Sequence, residues 1–370
     1  MRFHILGLSH SKTHREYSCD AFSQKVRLLC RMLIDNGDIV FHYGTEGSNP
    51  VCTENIDVLS AATFDRVHGA YDWKKQNFVV DVENDAYKEF TSGAIAEIGK
   101  RFQDRDFILC TFGVMNKPIV DAFPRAICVE PGIGYENTLG PLVHRVFESN
   151  PWMHYIYGKE GRMLNPSFYD AVIPNYYDLD DYKYEPDGGD CFLFLGRPTP
   201  LKGLEIAQEC AKVAGVDLYI AGQGEYKNLP SFVKHLGVLS IEERSKWMGG
   251  AKCVLAPTIY IEPFGGVPIE ALLCGTPVIT TDFGAFVETI PHGLVGYRCR
   301  SLEQFHWAAK NIGNIDRGTC REYAERNYSI GRVRKKYREY FSTLARLYAD
   351  PMGWYGSNDG RDELDWLRAY

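Results

Sequence analysis

Short apolar runs alternate with longer amphipathic stretches along most of the chain. Phe3–Leu8 is a compact apolar run that reads as a strand. Phe22, Val26, Leu29 and Leu33 then recur at the three- and four-residue spacing of one helical face, and Gly37 closes it. Ile39–Tyr43, Phe78–Val82, Phe107–Cys110 and Ala126–Val129 read as further short buried strands, with helical patterns over 84–102 and 116–122. Residues 44–77 show no clear period. A polar, aromatic, turn-rich stretch occupies 173–190, and the alternation then resumes. Strands are expected at Phe192–Leu195, 217–221, 253–256 and 277–280, with helices at 203–213, 241–249 and 267–274. Ser240 with Glu243, and Ser301 with Gln304, have the spacing of capping boxes at helix starts. A last helix is expected over 331–349, with Val333, Tyr337, Phe341, Leu344 and Tyr348 on one face.

This βαβ rhythm is that of parallel sheets covered on both faces. At 370 residues the chain is long for one core and suits two domains. The pattern divides it into an N-terminal Rossmann-like domain (1–175), a linker (176–190), a C-terminal Rossmann-like domain (191–335) and a final helix and tail (336–370). Open α/β sheets bind ligands at the carboxyl ends of their strands, so two in tandem create a cleft between them.

Composition narrows the classes. The net charge of −7 opposes a nucleic-acid binder overall, although Arg332, Arg334, Lys335, Lys336, Arg338 and Arg346 form a local basic stripe. A solvated helix face and an anionic partner are both open for it. The 11 cysteines are scattered and have no Cys-x-x-Cys spacing, which opposes a disulfide framework or a structural zinc site. The apolar run at Phe3–Leu8 is too short for a leader's core. No stretch reaches the ~20 apolar residues of a spanning helix. A cytoplasmic protein is the expectation.

Three motifs carry chemistry. Glu262-Pro-Phe-Gly-Gly-Val-Pro-Ile-Glu270 sets two carboxylates on either side of a glycine corner, with Pro268 suited to a helix's first turn. Open amides at a helix start attract phosphate, and a carboxylate on each side binds hydroxyls. That suits a ligand with a diphosphate in the middle and polyols at both ends, the shape of a sugar nucleotide. Gly196-Arg197 and Lys202-Gly203 leave one strand end together, where two cations can neutralise a diphosphate; each alone is equally an ordinary surface cation. Gly222-Gln-Gly224 follows a strand but lacks the spacing of a dinucleotide fingerprint, and by itself it is a tight turn.

Taken in order, these pieces resemble the retaining glycosyltransferases of family 4, whose fold is GT-B: two Rossmann-like β/α/β domains facing a central cleft. Cys274-Gly-Thr-Pro-Val-Ile279, Gly284 and Glu288 continue the resemblance, as does Ile173-Pro-Asn175 with Asp178 at the linker entry. It is close over 173–330 and loose over 1–170. It implies a sugar-nucleotide donor, a metal-independent enzyme with no cofactor, and a last helix and tail (336–370) that cross back to the first domain, with Trp354, Tyr355, Trp366, Leu367 and Tyr370 as anchors. Arg197 and Lys202 would meet the diphosphate, beside Gly196 and Gly222. Amides of Phe264, Gly265 and Gly266 would bind phosphate or sugar. Glu262 would bind donor-sugar hydroxyls, and Glu270 the ribose. Asp178-Leu-Asp180 looks like a metal-binding Asp-x-Asp, but solvated turn residues are expected there.

The N-terminal half departs from the family pattern. The family's glycine pair after the first strand is absent, and Ser9, His10, Lys12 and His14 in that loop are candidates for touching acceptor or donor phosphate. Glu130 stands where the family places a sugar-facing histidine, with Tyr135 beyond it. Glu130 is a catalytic candidate, or else a cap on the glycine-rich turn. The resemblance leaves the acceptor open: glycan, lipid, metabolite, protein or modified nucleic-acid base. A phosphorylase of the same fold, or a sugar-nucleotide epimerase or hydrolase, are the rival activities.

Overall fold

The computed structural model describes residues 1–17, 20–69, 80–349 and 363–364. It holds two all-parallel sheets. The N-terminal sheet has seven strands: β1 (Arg2–Leu6), β2 (Ile39–Thr45), β3 (Glu54–Leu59), β4 (Phe107–Leu109), β5 (Ile127–Ile133), β6 (His144–Phe147) and β7 (Ala171–Val172), in the spatial order β3-β2-β1-β4-β5-β6-β7. The C-terminal sheet has six: β8 (Phe192–Leu195), β9 (Leu218–Ala221), β10 (Val233–His235), β11 (Cys253–Ala256), β12 (Val278–Thr281) and β13 (Gly296–Cys299), in the order β10-β9-β8-β11-β12-β13. In each sheet the strand order reverses beside a central strand, and the strand ends next to such a switch point form a crevice.

The near-continuous apolar runs read from the sequence are the central strands, buried on both faces as parallel strands must be. Phe192, Leu193 and Phe194 of β8 and Cys253, Val254 and Leu255 of β11 are all essentially inaccessible. Both capping boxes form, at the starts of helices Ile241–Gly249 and Leu302–Asn311. Helix Ala21–Asp35 buries Val26, Leu29 and Leu33 as its spacing predicts.

Other elements differ. The unpatterned 44–77 region contains β3 and helix Ala61–His68, whose apolar faces are narrow. β6, β7 and helix Asn150–Lys159 had no apolar run long enough to mark them. In the strand expected at Phe78–Val82, Phe78 and Val79 lie outside the described residues, and 80–82 form no strand.

Two chain segments cross between the sheets, and they are bonded to each other. The Tyr177 amide donates to the Tyr328 carbonyl at 2.9 Å, and the Ile330 amide to the Tyr177 carbonyl at 2.8 Å. Beyond that point helix Ile330–Ala349 packs Val333, Tyr337, Phe341 and Leu344 into the N-terminal core. The Phe341 ring lies 4.9 Å from Phe3 and 5.3 Å from Phe107. Tyr348 stays at the rim, hydrogen-bonded to His144 at 2.9 Å. The tail residues Trp354, Tyr355, Trp366, Leu367 and Tyr370, expected from the resemblance as anchors for this crossing, lie outside the described residues.

Part of the basic stripe has a structural task. Arg334 and Arg338 donate to the carbonyls of Asp35 and Asn36, at the C-terminus of helix Ala21–Asp35, where cations offset the helix dipole. Arg332 pairs with Glu363. The linker acids also depart from expectation. Asp180 is exposed, but Asp178 and Asp181 are buried. Asp178 pairs with Arg31, and Asp181 with Arg15 and Arg27, because buried carboxylates require partners. None of the helices among the described residues is long and apolar enough to cross a membrane.

Phe341 fills the space between the final helix and the N-terminal sheet. Phe341→Ala is expected to cost roughly 3–5 kcal/mol, read as a lowered denaturant midpoint of the N-terminal core. A shift within error would show that the final helix does not hold this core together.

Candidate active site

The carboxyl ends of both sheets face a cleft of about 610 Å³ lined by residues from both halves of the chain. Its C-terminal wall includes Gly196, Arg197, Lys202, Gly222, Glu262, Phe264, Gly265, Gly266 and Glu270. Every donor-side residue singled out in the sequence therefore lies on one surface.

Arg197 leaves the end of β8 with its side chain exposed to the cleft. Lys202 sits on the short turn Pro200–Lys202, over the Tyr260 ring at 4.8 Å. Its Nζ donates to Tyr260 Oη at 2.6 Å and to Glu262 Oε2 at 2.9 Å. Burial works against the ammonium's charge, but Glu262 and Tyr260 outweigh it, and the Lys202 pKa stands above its ordinary value. An ammonium has three N–H donors, so one remains for a ligand.

After Glu262 the chain turns sharply. Gly265 adopts φ 81°, and a Cβ there would sit 2.3 Å from the Phe286 ring, so only glycine fits. This turn opens helix Gly266–Leu273, which has no side-chain cap. The amides of Phe264, Gly265 and Gly266 find no backbone acceptor among the described residues, which leaves a helix start open to an anion.

One turn further along, Glu270 is buried at the back of the cleft with Arg244 Nη1 3.2 Å from its Oε2. Burial raises the Glu270 pKa, while Arg244 and a hydrogen bond from Tyr182 pull it down. Sequence reading missed Arg244 and Tyr260. Arg244 directly follows the capping box but belongs to no motif, and Tyr260 lies in an unpatterned loop. Val238 and Leu239 line the cleft close by in sequence to Arg244.

The N-terminal wall is where expectation fails most. Glu130 does not reach the cleft. It is fully buried in β5 and accepts hydrogen bonds from Tyr135 Oη at 2.7 Å and the Leu139 amide at 3.0 Å. Tyr135 in turn accepts from the Gly113 amide at 3.1 Å. Burial pushes the Glu130 carboxyl up to about 7, against the opposing pull of these donors. Glu130 holds the loop after β5, which is the capping alternative, and the catalytic assignment is corrected. Tyr135 has the same task and does not line the cleft.

The loop after β1 also separates. His10 lines the cleft, 3.9 Å from Asp20, with its ring 5.0 Å from that of Phe112. Ser9 is buried beside it without lining the cleft. Lys12 lies over Phe64 at 5.4 Å, and His14 is 3.7 Å from Glu16; neither lines the cleft.

Two charged residues on this wall were not foreseen. Glu148, at the end of β6, is nearly buried, and its Oε1 is paired with Lys25 of helix Ala21–Asp35. Next to it, Ser149 Oγ donates to the Pro263 carbonyl at 2.6 Å, tying the end of β6 to the Glu262 loop of the other wall. The available signal was a carboxylate directly before the Ser149-Asn-Pro helix start.

The sequence profile of the family described as Glycosyl transferases group 1 matches residues 189–312. A phosphatidyl-myo-inositol mannosyltransferase of Propionibacterium freudenreichii is 34% identical over 115 residues, 29% of this chain and 30% of that protein. Its counterpart in Mycobacterium leprae is 26% identical over 242 residues, 56% of this chain and 64% of that one. The chain thus spans under two thirds of the length of these relatives. Among solved structures, Anabaena HepE in complex with UDP and glucose is 14% identical, with a TM-score of 0.65 over 93% of this chain and 100% of that one. The fold is GT-B, and the chain is similar to the family 4 glycosyltransferases, most clearly in its C-terminal half.

Glu130 gives a pH signature of its structural role. Folded, it keeps its proton up to about 7; unfolded, it loses it near the ordinary 4.5. Between those values the folded state binds more protons, so this group's contribution to stability falls as pH rises and levels off above the upper value. Relative to Glu130→Gln, which cannot titrate, the wild type should lose melting temperature across that window. A difference independent of pH would contradict the buried-carboxyl assignment.

Proposed function

We propose that this GT-B chain of the family 4 type is a retaining glycosyltransferase. It would move a sugar from a nucleoside-diphosphate sugar to an acceptor hydroxyl without a metal. The observation that carries this reading is the single C-terminal wall: Arg197, Lys202 and an open helix start between the Glu262 and Glu270 carboxylates. The diphosphate fits the cations and the amides of Phe264, Gly265 and Gly266. The ribose hydroxyls fit Glu270, steadied by Arg244. The transferred sugar fits Glu262, steadied by Lys202. The names of the curated relatives and the UDP and glucose held by a structural neighbour agree with this choice.

In the reaction, the bond between the anomeric carbon and the diphosphate oxygen breaks, and negative charge grows on the leaving group. Arg197 and the remaining N–H of Lys202 stabilise that charge where it develops. Two cations and a helix start supply the neutralisation for which other transferases recruit a metal, and that supports metal independence here. The acceptor oxygen bonds to the anomeric carbon from the face the diphosphate leaves, and its proton passes to a diphosphate oxygen. The acceptor enters from the N-terminal wall.

A thermal-shift panel of UDP, GDP, ADP and TDP with their sugars tests the donor class, since a ligand of the folded state raises the melting temperature. One base series is expected to stabilise the protein, and a flat panel would overturn the reading. Glu270→Ala should weaken the bare diphosphate by roughly tenfold or more, as loss of a hydrogen bond to a charged group does. Glu262→Ala should spare the bare diphosphate and reduce the further shift given by the sugar. Wild-type affinities in both variants would contradict the assigned roles.

A further inference from the structure

Helix starts on the two walls of the cleft differ chemically. Helix Gly266–Leu273 begins at a glycine and leaves its amides open. Helix Ala21–Asp35 begins at Asp20, whose carboxylate accepts from the Phe22 amide at 3.1 Å and from the hydroxyls of Ser23 at 2.6 Å and Ser11 at 3.0 Å. This start already holds an anion, so it offers no open cradle for a phosphate. Among the described residues, the lysine and arginine that line this wall are engaged as well: Lys25 on Glu148, and Arg27 on Asp181 at 3.3 Å.

What this wall presents instead is a carboxylate beside an aromatic ring. Lys25 takes Oε1 of Glu148, lies 4.6 Å from the centre of the Phe22 ring and also donates to the Gly132 carbonyl at 3.2 Å. Oε2 of Glu148 turns toward Gly134, where a Cβ would sit 2.6 Å from it. Glycine at 134 thus leaves room for the second oxygen, and Gly134, Phe22, Lys25 and Glu148 all line the cleft. Ser149 binds the Pro263 carbonyl, which places Glu148 one residue from a direct link to the loop assigned to the transferred sugar. A carboxylate with an aromatic platform suits hydroxyl groups and an apolar sugar face; it repels a phosphate.

We propose that Glu148 receives the attacking hydroxyl of an uncharged polyhydroxyl acceptor, a sugar or polyol, with Lys25 and Gly134 as positioning residues that fix its carboxylate. This rests on the transferase reading. Glu148 takes no part in the bond exchange. It accepts a hydrogen bond from the acceptor, and so sets which oxygen faces the anomeric carbon.

The test uses the full chain and the donor chosen by the thermal-shift panel. Release of nucleoside diphosphate is followed in water alone, with methyl α-glucoside, glycerol or myo-inositol, and with glucose 6-phosphate. Glu148→Gln should keep the donor-induced melting shift yet slow release by roughly tenfold or more in every condition that turns over. Gly134→Ala should do the same by displacing the carboxylate. Because Glu148→Gln leaves Lys25 unpaired, the double variant Lys25→Met with Glu148→Gln removes both charges. A purely structural pair would regain wild-type turnover in the double variant, whereas an acceptor-binding Glu148 leaves it slow. Wild-type release in Glu148→Gln or in the double variant overturns the proposal, as does stronger acceleration by glucose 6-phosphate than by the uncharged probes. A wild type that shifts with no donor, or turns none over, contradicts the transferase reading instead.

Discussion

The contact between Lys202 and Glu262 governs how the rest of the cleft is built. Neither charge is fully in water, and each would be costly to bury without the other. Their pairing fixes the start of the loop that follows. The Glu262 carbonyl accepts from the Ala285 amide at 3.0 Å, which holds the loop against the next βα turn. From that anchored point the chain has two residues in which to reach Gly265, whose backbone must clear the Phe286 ring, and then begin a helix. The open amides exist because the preceding loop is pinned. One ion pair thereby couples the group proposed to meet a diphosphate to the group proposed to meet a sugar.

The opposite wall solves its electrostatics differently. Its helix start is closed by Asp20, its lysine by Glu148, and its arginines by the linker acids Asp178 and Asp181. The same arginine–aspartate pairs join the N-terminal helix to the linker, and Ser149 joins β6 to the Glu262 loop. The two walls are therefore held in register by polar contacts near the chemistry, while the final helix supplies the apolar contact far from it. Partial burial of these pairs suits a cleft that must hold its shape without being locked.

The sequence made the C-terminal half legible because its chemistry is local. Glu262 to Glu270 lie in one loop and one helix turn, and the residues between them allow few conformations. The alternation of apolar strands with capped helices likewise made the central strands of both sheets readable, while β3, β6, β7, β10 and β13 carried no such signal. The N-terminal site resisted because it is assembled across strands: Lys25 and Glu148 are separated by most of the domain and meet only through the neighbouring ends of a helix and β6. Glu130 misled for a related reason. It stands at the right strand, but a carboxylate surrounded by the Tyr135 hydroxyl and the Leu139 amide folds inward to hold its loop. Asp178 misled in the same way, since turn-rich composition hides a partner supplied by a distant helix. Arg244 and Tyr260 carried no motif and became visible only through the charges they face.

Lys202 is proposed to serve the phosphates while bound to Glu262. The direct measurement is calorimetric titration of a nucleoside diphosphate and its parent nucleoside into the wild type and Lys202→Met. The account predicts that the diphosphate binds far more tightly than the nucleoside in the wild type, and that most of this difference disappears in the variant while nucleoside affinity stays the same. An undiminished difference in Lys202→Met would contradict it.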